Sequence, residues 1–252
     1  MDHMMYMMEL YSADLEAQIQ ARTDELEEEK RKTEALIAKM LPLSVAQALV
    51  AGESVDPEAF DEVTIYFSDI VGFSAISARS TPLQIVKLLN GLYSVFDANI
   101  ERFDVYKVET IGDAYMVASG LPIRNGRNHA GEIANMALEM LSISGLFVIP
   151  YLPTIPILMR IGIHSGVLQL WYNSKLNVCL PIPTFTFKAL RIHVSPATKV
   201  ILDELGGYKF EYRGKVSLKG RGEVETYWLV GRDGFDGPLP TPLKTDAYVC
   251  TF

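Results

Sequence analysis

The chain has 252 residues, 49% of them apolar and 21% charged, and a net charge of −8. That length suffices for one well-buried domain with a helical extension, and the acidic balance argues against a basic nucleic-acid-binding surface. Its two cysteines, Cys179 and Cys250, exclude a disulfide framework and point to a reducing compartment.

Met1–Leu10 is Met-rich but too short and too interrupted by polar residues for a secretory signal. Tyr11–Leu41 is predicted as one long helix. Leu15, Ile19, Arg22, Leu26, Glu29, Thr33, Leu36 and Met40 recur at alternating spacings of four and three, the seam of a parallel dimeric coiled coil. The polar seam residues Arg22, Glu29 and Thr33 lower the stability of such a coil and set its register. A solvated charged helix is the plainer alternative.

Pro42 ends that helix, and Leu43–Ala51 is predicted as a short helix stopped by Gly52. Glu53–Glu62 reads as an acidic connector and Val63–Ile70 as the first strand. Thr81-Pro82 opens a helix to about Phe103, with Ile85, Leu88, Leu89, Leu92 and Phe96 on its core face. Tyr106–Thr110 and Ala114–Ser119 form a hairpin turning at Ile111-Gly112-Asp113, and His129–Leu141 is helical.

Ile143–Met159 carries no charge but holds Pro150, Pro153 and Pro156, and falls short of the roughly 20 apolar residues of a membrane span. It reads as an apolar loop or interface, so the chain is expected to be soluble. Met159–His164 is a strand. Ser195 caps a helix to Leu205 with Pro196 at its first position, and Gly206-Gly207 stops it. Tyr208–Tyr212 and Glu225–Val230 are closing strands, and Asp233–Phe252 reads as a disordered tail. The order suits an α+β domain with helices on one face of a largely antiparallel sheet. The expected division is a coiled-coil linker over 1–52, a catalytic domain over 53–231 and a tail over 232–252.

Two stretches carry chemistry. Val63–Ser74 (VTIYFSDIVGFS) and Val108–Met116 (VETIGDAYM) each set one aspartate, Asp69 or Asp113, at the end of an apolar run. A carboxylate ending a buried strand is costly unless something pairs with it. Two on neighbouring strands suggest a shared divalent-metal site, although capping of turns is the plainer role. Gly72 leaves room for backbone N–H groups to approach a phosphate.

These stretches resemble the class III nucleotidyl cyclases, most closely the catalytic region of receptor-type guanylyl cyclases. The likeness covers Asp14–Gly166 and Lys188–Gly231. It implies a ferredoxin-like core, with the coil as a signalling helix. It implies conversion of GTP to 3′,5′-cyclic GMP and pyrophosphate in intracellular signalling. Asp69, Asp113 and the main-chain carbonyl of Ile70 would hold two Mg²⁺ or Mn²⁺ ions, and the backbone of Val71, Gly72, Phe73 and Ser74 would cradle phosphates. Glu109 would read guanine, because a carboxylate accepts from the ring N–H and the exocyclic amine while adenine offers no such pair. Lys219, with Arg221 second, would hold the terminal phosphates. The likeness further implies a homodimer or heterodimer of cyclase domains, upstream kinase-like and receptor domains, and a place on the cytoplasmic side of the plasma membrane.

One segment departs from the family. Val167–Phe187, VLQLWYNSKLNVCLPIPTFTF, contains no Gly, Asp or Arg. The family places there a second guanine reader and a helix with Asn and Arg one turn apart. Cys179, Asn173, Asn177 and Arg191 do not match that pattern, and no role is carried over to them. Its sharp edges point to a misread or misspliced segment ahead of a drifting variant. Loss of a core strand is the expected structural consequence, and a catalytically impaired dimerisation or regulatory module is the alternative function.

Overall fold

The computed structural model describes residues 2–40, 58–172, 176–179, 188–218 and 222–242. The chain divides into two units, Met1–Asp56 and Pro57–Phe252.

In the first unit α1 runs unbroken over Asp2–Met40, beginning earlier than predicted. The seam residues Leu15, Ile19, Leu26 and Leu36 are exposed on it. Charged pairs one turn apart dress its surface, among them Lys32–Glu28 at 2.7 Å and Arg22–Glu25 at 2.8 Å. Each is worth only a few tenths of a kcal/mol, roughly. The short helix predicted over Leu43–Ala51 lies outside the described residues.

The second unit holds β1 (Glu58–Ile70), α2 (Phe73–Ala78), α3 (Pro82–Ile100), β2 (Tyr106–Ile111), β3 (Ala114–Ser119), α4 (Asn128–Leu146), β4 (Met159–Tyr172), β5 (Leu176–Cys179), β6 (Ile192–Val194), α5 (Pro196–Leu205), β7 (Tyr208–Leu218) and β8 (Gly222–Arg232). Thr81 caps α3 through a reciprocal capping box with Gln84, and Ser195 caps α5, as their positions before Pro82 and Pro196 predict. The sheet order is β2-β3-β1-β4-β6-β8-β7, with β5 beside β4. The described pairings are antiparallel except β4 with β6. The first four strands, with α3 and α4 as crossovers, form the expected ferredoxin-like unit.

The two faces of the sheet differ. Tyr66, Tyr115, Val117, Ile161 and Ile163 point to one face and pack against Leu88, Leu92 and Phe96 of α3 and Ile133, Met136 and Ala137 of α4. Alternate residues, Val63, Ile65, Met116, Ala118 and Leu168, cluster on the other face with Phe60 and no helix residue. The period-two alternation of strands produces this division. A polar chain crosses the helix side: His129 Nδ1, Thr64 Oγ1, Ser165 Oγ, Thr198 Oγ1 and Ser195 Oγ are linked at 2.5 to 3.0 Å. Buried polar groups persist in a core only when satisfied in this way.

Several expectations need correction. The acidic connector is shorter than predicted, because β1 begins at Glu58 and pairs Glu58, Ala59 and Phe60 with Leu170, Gln169 and Leu168. The start of the departing segment therefore extends β4 to Tyr172, and β5 folds back on it, so the described part of the segment forms strands where loss of one was expected. Ile143–Met159 is not wholly an apolar loop: α4 extends to Leu146, and Ile149, Ile157 and Met159 are buried in the core. The described start of the tail, 233–242, is ordered chain, with Phe235 and Leu239 packed on the core and Pro240 against Gly145. Helix α2 and strand β6 were not foreseen; both are too short for periodicity to reveal.

Candidate active site

The predicted site lies on the face where, among the described residues of this unit, no helix joins the apolar cluster. Register places Asp69 opposite Arg160, Phe67 opposite Met116, and Met116 opposite Glu109. Paired residues share a face, so Asp69, Arg160 and Glu109 project from the same side of the sheet. Glu109 is exposed there.

Asp69 is buried, and Arg160 closes on it with two nitrogens: Nε donates to Oδ1, and Nη2 donates to Oδ2 at 2.7 Å. This fork compensates a charge that β1 would otherwise strand in a dry place. Sequence reasoning missed Arg160, whose only local sign is a cation interrupting the apolar start of β4.

Asp113 follows Gly112 in the β2–β3 turn, where Gly112 adopts the left-handed φ of 61°. Tyr115 lies opposite Ser68, which brings this turn to the end of β1. The backbone N–H groups of Asp113 and Ile70 favour the charged form of its carboxylate. Burial raises its pKa and the negative charge of Asp69 adds to the rise, against the lowering effects of the two N–H groups and Arg160. The two carboxylates thus feel each other across the end of β1.

Tyr93 of α3 reaches this turn: its hydroxyl donates to the Gly112 carbonyl at 2.8 Å. Burial, then the charge of Asp113, pushes the phenol up to about 12, so it remains a donor. At the base of the hairpin, Asp97 accepts from Lys107 Nζ at 2.7 Å and from the Tyr115 hydroxyl at 2.6 Å.

The phosphate loop is placed less uniformly. Gly72 has φ 76° and opens α2, so Phe73 and Ser74 sit in a first turn that offers their N–H groups no intrahelical acceptor. Val71 differs from expectation: its N–H donates to the Leu158 carbonyl at 2.7 Å and is already used by the sheet. Lys219 and Arg221 lie outside the described residues. Arg191, to which no role was carried, pairs with Glu211 at 2.8 Å.

The donor set suits a small divalent cation. Among the described residues no group of three or more His, Cys, Asp or Glu converges. A two-carboxylate site leaves coordination positions for backbone oxygen and substrate phosphate, the usual manner of Mg²⁺. Each Asp69 oxygen keeps a second lone pair beside the one Arg160 occupies.

A ferredoxin-like sheet with two carboxylates meeting where its first strand ends is the architecture of class III cyclase catalytic domains. Comparison with known proteins agrees. A sequence model of the adenylate and guanylate cyclase catalytic domain matches residues 55–173 and 185–231. Retinal guanylyl cyclase 2 of Bos taurus and retinal guanylyl cyclase 1 of Rattus norvegicus are each 53% identical to the chain over 96% of its length. The chain spans 23% of the length of either. The crystal structure of the guanylate cyclase domain of RhGC from Catenaria anguillulae in complex with GTP superposes with a TM-score of 0.62 at 32% identity, covering 69% of this chain and 99% of that one.

The chain belongs to the adenylate and guanylate cyclase catalytic domain family. The break in likeness, between 173 and 185, is narrower than Val167–Phe187, because the extension of β4 still matches the family.

Proposed function

We propose that this chain is the catalytic region of a receptor-type guanylyl cyclase that converts GTP to 3′,5′-cyclic GMP and pyrophosphate. The observation that carries this reading is the meeting of Asp69 and Asp113 at the end of β1, with Glu109 on the same open face. The retinal guanylyl cyclases among its relatives support GTP as substrate.

Asp69, Asp113 and the Ile70 carbonyl would hold two Mg²⁺ or Mn²⁺ ions. Such ions lower the pKa of the ribose 3′-hydroxyl for in-line attack on the α-phosphate and neutralise the departing pyrophosphate. Glu109 selects guanine by accepting from its paired donors. The amides of Gly72, Phe73 and Ser74 orient phosphate oxygens, and Lys219 and Arg221 hold the terminal ones. Arg160 holds Asp69 aimed. An open sheet face needs a second cyclase domain to enclose substrate, so the active form is a homodimer or heterodimer joined through the α1 seam and this face. No described helix is long and apolar enough to cross a membrane. The cytoplasmic side of the plasma membrane, with kinase-like and receptor domains upstream, is the setting this reading implies.

A second reading has its own observation. The family match is interrupted between 173 and 185, where the Asn/Arg helix belongs. A chain lacking that helix dimerises with intact cyclases and suppresses them. Purified chain is assayed for cyclic GMP with Mn²⁺ and GTP, alone and mixed with an intact cyclase. Turnover lost in Asp113→Ala supports the first reading. No turnover alone, with inhibition of the intact enzyme, supports the second. Asp113→Ala is the better probe, because Asp69→Ala also strips Arg160 of its buried partner.

A further inference from the structure

We infer that Tyr93 is a positioning residue for Asp113, acting through the single peptide unit that joins Gly112 to Asp113. The inference rests on the two-carboxylate reading of the site and adds a residue to it.

The peptide unit has two polar ends. Its carbonyl, on Gly112, accepts the Tyr93 hydroxyl at 2.8 Å. Its nitrogen, on Asp113, leads directly to the Cα from which the carboxylate projects. A peptide is planar and resists twisting, so fixing the carbonyl direction fixes the N–H direction. One phenol therefore sets the direction in which Asp113 leaves the turn.

The position needs such a hold. Gly112 is left-handed at φ 61°, and glycine has the widest choice of backbone conformations. Without an external bond, the peptide between Gly112 and Asp113 can rotate as a unit.

Tyr93 is itself well anchored. Its ring lies 5.4 Å from that of Tyr115 and 6.4 Å from that of Phe96, between centroids. Four residues on, Asp97 grips the base of the same hairpin through Lys107 and Tyr115. Residues i and i+4 share a helix face, so α3 holds the hairpin at turn and base from one side. The two grips separate cleanly: the Asp97 contacts hold the strands, while the Tyr93 contact reaches the peptide bearing the carboxylate.

Tyr93→Phe removes the hydroxyl and keeps the ring packing. Mn²⁺ is titrated, followed by its electron paramagnetic resonance signal in the presence of a non-cyclisable GTP analogue, into wild type, Tyr93→Phe and Asp113→Ala. The expected result for Tyr93→Phe is a three- to tenfold weaker Mn²⁺ affinity, roughly the worth of one neutral hydrogen bond. Amide exchange at Asp113 is expected to quicken by a similar factor while exchange in β1 and β3 stays as in wild type. Exchange needs no metal, and comparison with β1 and β3 separates local release from general loss of stability. Wild-type Mn²⁺ affinity and an unchanged Asp113 amide in Tyr93→Phe would overturn the inference. If Asp113→Ala instead binds Mn²⁺ like wild type, the two-carboxylate reading fails, and with it this role for Tyr93.

Discussion

Arg160 stands directly across from Asp69 on the neighbouring strand, and both side chains are almost wholly withdrawn from solvent, at 5% and 2% exposed. Removing one member of such a pair leaves an unmatched buried charge, at a cost of about 3–5 kcal/mol. Asp69→Ala and Arg160→Met are each expected to lose stability on that scale. The double variant is expected to recover most of it. Urea unfolding of the four proteins in this cycle measures the coupling; a value under about 1 kcal/mol contradicts the pairing described.

Glu109 is exposed on the edge strand of the described sheet. Its replacement should leave the fold intact and alter nucleotide choice. Glu109→Lys presents donors where guanine also presents donors. The expected outcome is a loss of about 10²-fold or more in kcat/KM for GTP, with less loss for ATP. Steady-state kinetics with both nucleotides, beside an unchanged melting temperature, test this.

Stability is expected to fall in mild acid. His193 is wholly buried, and its pKa is pushed down to about 2, first by burial and then by the Arg213 guanidinium. His129 is also held below its ordinary value by burial, with no partner for its Nε2 among the described residues. Well above the unfolded value of about 6.5 both histidines are neutral folded and unfolded, and neither makes stability depend on pH. Below it the unfolded chain takes up protons that the folded chain refuses. Each histidine then removes up to about 1.4 kcal/mol per pH unit until its folded-state value is reached. Urea midpoints at pH 7.5, 6.5 and 5.5 should decline in that order. His193→Gln should flatten the decline; an equally steep slope assigns the effect elsewhere.

The segment after β8 contributes to the domain. Phe235 and Leu239 pack on the helix-side core, and two cavities of about 290 and 350 Å³ lie beside the segment. Neither cavity is lined by a predicted site residue. Leu239→Ala is expected to cost about 1–2 kcal/mol, below the range for a fully buried leucine because Leu239 is only partly covered. Differential scanning calorimetry measures it, and an unchanged melting temperature argues that the segment is dispensable.

Local chemistry was legible in the chain. Thr81 before Pro82 and Ser195 before Pro196 announced helix starts, because a cap and its proline act within one turn. Gly112-Asp113 announced a turn, and two apolar runs ending in aspartate announced a pair of carboxylates worth explaining. Partnerships between distant strands were not legible. Arg160 follows Asp69 by 91 residues, and nothing near either one specifies the other. Tyr93 reads as part of a helix, and Leu239 as part of a Pro- and Gly-rich end. Periodicity and capping are properties of neighbours in sequence, whereas strand register, the open sheet face and the hold of α3 on the hairpin arise when the chain closes on itself. That closure is where Asp69 acquires its guanidinium and the turn before Asp113 its bond from Tyr93.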